Sequence, residues 1–240
     1  MKHNRYALVT GAADRIGKSI ALHLVKMGYH IVLHYRSSYQ AAMLLKEVIE
    51  AMGRKAILLQ FDFLKDNDYD QLFSELQEKG IELDVLINSA SEYVPSGFQD
   101  RGNSMLTREI KSNFEGAYLL TKSFARIFGT GTVINLLDAK ITKDYTMHLD
   151  YMLAKKLLAE FTRMAAIHLA PEIRINGICP GIILPPKGKD NQYLLNLAEE
   201  TPLKRIGKLE DIQKAVQFLI ECDFVTGQVL FVDGGEHLAY

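Results

Sequence analysis

The sequence predicts an α/β fold: one doubly wound domain over residues 1–240, with about seven parallel strands and helices on both sheet faces. Three observations predict it. Short apolar runs rich in β-branched residues recur along the chain, and amphipathic stretches of helical period separate them. No repeat, low-complexity tract or linker divides the whole.

The strands are expected at Tyr6–Val9, His30–Tyr35, Ala56–Phe61, Asp84–Ile87, Thr132–Leu137, Arg174–Ile178 and Gln228–Val232. These runs are nearly all apolar, as strands covered on both faces must be. Between them, Ile16, Ile20, Leu24 and Val25 form a helical stripe that Gly28 ends. A second stripe runs through Ile110, Phe114, Ala117, Thr121 and Phe124. A third joins Leu157, Leu158, Phe161, Met164, Ala165 and Leu169, with Pro171 as its stop. Pro180–Asp190, with three prolines and two glycines, fits neither period and reads as a loop over a site, part of a substrate loop expected near 181–200.

Composition narrows the function classes. Hydrophobic residues make up 48% and charged residues 24%, enough for a full core and unlike a disordered chain. A formal charge of −1 argues against a nucleic-acid surface. No stretch approaches the roughly 20 apolar residues of a membrane span, and Ala7–Val9 is too short a run for a signal peptide. Cys179 and Cys222 form no framework and read as reduced thiols of a cytoplasmic protein.

Directly after the first strand, Thr10-Gly11-Ala12-Ala13-Asp14-Arg15-Ile16-Gly17 leads into a helix. Glycines let a phosphate approach the backbone, and a helix N-terminus adds amides and a favourable dipole. At the end of the second strand a dinucleotide fold that takes NAD places an acid, which bonds the ribose 2′-hydroxyl. Here that strand ends His34-Tyr35-Arg36-Ser37-Ser38, and the next acid is Glu47. Arg36 with adjacent hydroxyls suits a 2′-phosphate, so NADPH/NADP+ is the expected cofactor. His30 and His34 are four apart on a strand, about 13 Å, and too distant to share a metal. No metal is expected.

Tyr151 and Lys155 stand one turn apart on one face of the third helix. A lysine ammonium beside a phenol is expected to lower the phenol pKa. Around this pair come Asp62 after the third strand, Asn88-Ser89-Ala90 after the fourth, Asn113 in the next helix and Pro180-Gly181 after the sixth. Val232-Asp233-Gly234-Gly235 closes the chain.

With these ordered pieces the chain resembles the short-chain dehydrogenase/reductase family over nearly its whole length. The resemblance implies a Rossmann-type fold, Tyr151 as proton donor, Lys155 on the nicotinamide ribose, Asn113 in a proton relay and Asp62 at the adenine. It extends the cofactor site to Gly11, Arg15, Ile16, Gly17, Tyr35, Arg36, Ser37, Phe63, Asn88, Ala90, Pro180 and Gly181. It also implies a homotetramer.

One departure is informative. The family serine that precedes the tyrosine is absent, and Asp138 stands thirteen positions ahead of Tyr151. An aspartate suits a nitrogen heterocycle better than a simple ketone. Arg15, Ser91, Tyr93 and Asp138 together are similar to the pteridine reductase branch, which includes dihydromonapterin reductases. That likeness implies Tyr93 stacked on a pterin, Arg15 bridging cofactor phosphate and pterin, and Asp138 acting with Tyr151 on the proton. The expected reaction takes a 7,8-dihydropterin, and dihydrofolate as a further substrate, to the tetrahydro form. Two alternatives stay open: a reductase of another carbonyl or 3-oxoacyl substrate, and a non-catalytic NADPH-sensing module.

Overall fold

A computed structural model describes residues 5–99, 102–144, 147–186 and 188–239. Its centre is a seven-stranded sheet in the order β3-β2-β1-β4-β5-β6-β7, every pair parallel. The strands are β1 (Tyr6–Val9), β2 (His30–Tyr35), β3 (Ala56–Gln60), β4 (Leu83–Asn88), β5 (Gly131–Leu136), β6 (Ile173–Pro180) and β7 (Val229–Val232). All seven expected runs are strands, displaced by no more than a few residues at their ends.

Side-chain alternation divides each strand between two cores. Ala7 and Val9, Ile31 and Leu33, and Val85 and Ile87 face helices α1 (Arg15–Lys26), α2 (Tyr39–Ala51) and α8 (Leu209–Glu221). Leu8, Val32, Leu86 and Val133 face α3 (Tyr69–Glu78), α5 (Gly116–Phe128) and α6 (Leu149–Leu169). The shorter α4 (Ser104–Ile110) packs on α6, and α7 (Asn191–Ala198) follows the loop after β6. That loop carries no helix or strand at residues 181–186 and 188–190, and its Lys187 lies outside the described residues.

The helical stripe expected through Ile110–Phe124 is not one regular helix. Lys111–Glu115 form a π-helical turn between α4 and α5. Such a turn adds one residue to the helical ring and recurs at functional sites.

Two features of the fold decide where chemistry can occur. β1 lies between β2 and β4, so the sheet order reverses there and a crevice opens beyond the strand ends. At the opposite rim, the turns after α2, α3 and α5 pass through Gly53, Gly80 and Gly129, where no other heavy atom lies within 4 Å of a Cβ position.

Candidate active site

Every expected site residue except Asn88 and Asn113 lines one cleft of about 550 Å³ at the carboxyl ends of the strands. One wall is the glycine turn. Gly11 has φ +63°, and a Cβ there would stand 2.9 Å from the Ala90 Cα. A Cβ on Gly17 would stand 2.3 Å from the Gly11 carbonyl oxygen. Only glycine permits this approach, and the backbone it exposes ends at the α1 N-terminus. Asp14 caps that helix by accepting the Arg15 amide at 2.7 Å. Arg15 has φ +53°, an uncommon backbone for a side-chain-bearing residue. Its guanidinium donates at 3.4 Å to the Leu184 carbonyl across the cleft.

Buried polar groups hold this wall in place. Thr10 Oγ1 accepts the amides of Ser89 and Ala90, each at 2.8 Å, and so locks β1 to β4. His34 accepts the Gly11 amide on Nδ1 at 3.1 Å, and its Nε2 lies 3.0 Å from the Phe61 carbonyl. Burial lowers its pKa to about 4, so it is neutral, with the proton on Nε2. Its ring stacks on Phe63 at 4.9 Å. His30 likewise accepts the Lys55 amide at 2.9 Å. Each of the two histidines thus serves a backbone amide. Among the described residues no group of three or more His, Cys, Asp or Glu is placed to hold a metal.

At the next station Arg36 and Ser37 line the cleft beside Tyr35 and Asp62. Arg36 is ion-paired with Glu92, which Arg108 also holds through hydrogen bonds of 2.6 and 2.9 Å. The Asp62 carboxylate accepts the Leu64 amide at 3.1 Å and has Lys65 at 3.8 Å. The missing Cβ atoms, the α1 N-terminus and Arg36 with Ser37 fit a dinucleotide that carries an extra phosphate on its ribose.

The far end holds the reactive groups. Tyr151 donates to Asp138 Oδ2 at 2.9 Å, while Asp138 Oδ1 accepts the Lys140 amide at 2.8 Å. Asp138 therefore also caps the short 3₁₀ turn Ala139–Thr142. Lys155 donates to the Leu136 carbonyl at 2.8 Å and stands 5.7 Å from the Tyr151 ring centre. Burial brings its pKa down to about 8. The expectation of a lowered tyrosine pKa is corrected here. Burial raises it well above the ordinary value, and the Asp138 charge and hydrogen bond raise it further. A phenol facing a carboxylate keeps its proton.

Tyr93, 44% exposed, meets Tyr151 edge-on at 4.8 Å, and His148 stacks on one of its faces at 3.7 Å. Ser96 fixes this corner by accepting the Asp150 amide on Oγ at 3.0 Å. Ser91, expected at the substrate, spends its hydroxyl on Asn113 Oδ1 at 2.5 Å.

Asn88 and Asn113 lie behind the cleft. Asn88 donates to Asn135 at 2.8 Å and to Thr121 at 3.3 Å, within a buried chain that continues from Asn135 to Thr162 at 2.9 Å. Asn113, in the π turn, donates to the Glu92 carbonyl at 3.1 Å and to the Glu109 carboxylate.

Sequence reasoning missed His34 as a prop for Gly11, and it missed Glu92, Glu109 and Glu236. The partners of His34 and Glu92 come from distant segments, whereas Glu109 stands one helical turn from Asn113 and only its burial sets it apart. Leu184, Tyr193, Leu194 and Leu197 also line the cleft. All four fall within the substrate loop expected near 181–200, Leu184 ahead of α7 and the other three on it. Cys179 is buried with its pKa pushed up to about 12, unsuited to nucleophilic work.

A family model described as enoyl-(acyl carrier protein) reductase matches residues 11–237. The chain belongs to that family, the short-chain dehydrogenase/reductases. Among family members, 3-oxoacyl-(acyl-carrier-protein) reductase FabG of Staphylococcus epidermidis is 28% identical, covering 98% of this chain and 100% of its own. Dihydromonapterin reductase of Klebsiella pneumoniae is 27% identical, over 98% of this chain and 97% of its own. The crystal structure of FolM alternative dihydrofolate reductase 1 from Brucella suis, in complex with NADP, superposes with a TM-score of 0.93. It shares 28% identity and covers 100% of this chain and 98% of its own.

Proposed function

We propose that this short-chain reductase uses NADPH to reduce a pterin, taking a 7,8-dihydropterin to its tetrahydro form, with dihydrofolate as a further substrate. The observation that carries the reading is the Tyr151–Asp138 hydrogen bond at 2.9 Å beneath the Tyr93 ring. A simple ketone needs only a donor. A ring nitrogen next to the reduced carbon needs a proton delivered and its neighbouring N–H groups accepted, which a phenol paired with a carboxylate can do.

The cofactor, when bound, supplies a hydride. Around it Gly11, Ile16 and the α1 N-terminus take the pyrophosphate, and Arg36 with Ser37 takes the 2′-phosphate. Asp62, Phe63 and Ala90 border the adenine, and Pro180-Gly181 and Lys155 the nicotinamide end. Arg36 must leave Glu92 to meet the phosphate. Charge-assisted bonds of about 1.5–3 kcal/mol each favour NADPH over NADH by at least about tenfold. Tyr151 donates the proton, Asp138 orients the phenol and accepts from the heterocycle, and Tyr93 stacks on the pterin with the face opposite His148. Arg15 spans the cofactor phosphates and the substrate loop. The activities for which the Klebsiella and Brucella relatives are named support this substrate class.

The similarity to FabG favours a second reading, reduction of a 3-oxoacyl thioester. NADPH oxidation assayed against dihydropterins, dihydrofolate and 3-oxoacyl thioesters separates the two. We expect turnover with a dihydropterin and its loss, by about 10²-fold or more, in Tyr151→Phe with NADPH affinity kept. Turnover of the thioester alone replaces the pterin reading. Failure of every substrate leaves a binding module. We further place the protein in the cytoplasm as a homotetramer joined through α6, whose Leu153, Leu157, Met164 and Ile167 are exposed.

A further inference from the structure

Behind the cleft sits an acid that the chemistry above does not use. Glu109 closes the last turn of α4, four residues before Asn113, and is fully buried. Its Oε2 accepts the Asn113 side-chain amide, and its Oε1 has no hydrogen-bond partner among the described residues. An ionised carboxylate with one oxygen left bare in the interior is costly, whereas a carboxylic acid in the same place is tolerated. The groups around it do not change that balance. Glu92, from the loop after β4, and Asp150, at the start of α6, oppose its ionisation, while Arg108 and the Val94 amide favour it. Burial outweighs them all and brings its pKa to about 7. On α6, Tyr151 and Lys155 both sense its charge, which raises the pKa of each.

We propose that Glu109 is a positioning residue for the Tyr151 and Asn113 centre, permitting proton donation as a neutral acid and suppressing it as a carboxylate. Two consequences of ionisation act together. The new charge makes the Tyr151 phenol a poorer acid. It also tightens the hold on the Asn113 amide, whose carbonyl keeps Ser91 in place. Reduction should therefore slow as the pH climbs through about 7. The direction follows from the raised pKa: the group is neutral below that value and charged above it.

The inference rests on Tyr151 being the proton donor, and two measurements keep the failures apart. The first needs no substrate. Infrared difference spectra of the full-length enzyme, titrated across neutral pH, should contain a protonated-carboxyl band that disappears near pH 7 and is missing from Glu109→Gln. The second is the pH profile of kcat for whichever substrate turns over, at saturating NADPH. Wild type should step down to a lower rate as the pH passes about 7. Glu109→Gln should keep a flat rate over that limb with an unchanged KM for NADPH, and Glu109→Asp should restore a limb at a shifted pH. Loss of the dihydropterin activity alone replaces the substrate and leaves both measurements in force on a 3-oxoacyl thioester. Absence of the band, an unaltered limb in Glu109→Gln, or no turnover of any substrate overturns the proposal.

Discussion

The imidazole of His34, on β2, holds the glycine turn by accepting the Gly11 amide from inside the sheet. That arrangement has an acid limit. In the folded protein His34 titrates at about 4, against 6.5 for an ordinary histidine. Between those values the unfolded chain binds more protons than the folded one, so stability falls as the pH drops from about 6.5 to 4. The full effect is roughly 3 kcal/mol at most. Urea midpoints measured across this range should fall more steeply in wild type than in His34→Asn, and equal slopes would remove His34 as the cause. Residues of this kind explain which parts of the site were legible. Gly11, Tyr151 and Lys155 stand in fixed local spacings whose chemistry can be read directly. His34 acts through a bond between residues 23 apart that only the folded chain brings into register, and Glu109, though four residues from Asn113, is set apart by a burial that spacing does not reveal. The raised tyrosine pKa was hidden for the same reason, since spacing places Lys155 near the phenol but says nothing of burial.

At the level of elements, the strands were legible because each is a short apolar run bounded by polar residues or turns. The helix through Asn113 was legible only in outline. Hydrophobic period cannot register one extra residue in a turn, and that residue makes the π turn that carries Asn113. The 3₁₀ turn after β5 permits a sharper test of substrate choice. Asp138 caps it through the Lys140 amide while bonding Tyr151. Serine is as good a cap, so Asp138→Ser should leave the turn and the melting temperature almost unchanged. It removes the carboxylate that pairs with Tyr151. We expect kcat/KM for the dihydropterin to fall by about 10²-fold in this variant, with NADPH affinity retained. An undiminished rate would show that the carboxylate takes no part in handling the substrate.

Across the whole molecule, α6 carries an apolar stripe that neither core absorbs. Ile167 is 83% exposed and Met164 70%, on the helix that also carries Tyr151 and Lys155. Ile167→Glu should convert the proposed α6-joined tetramer to smaller species in sedimentation velocity, because a charge cannot be buried there without a partner. An unchanged mass would move the interface elsewhere. The all-parallel sheet has one more consequence. With every strand pointing the same way, the reacting groups are confined to one rim, and the turns at Gly53, Gly80 and Gly129 occupy the other. Those turns are the natural attachment points for an affinity tag, a fluorescent reporter or a solid support. An enzyme tethered there presents its cleft outward to the medium.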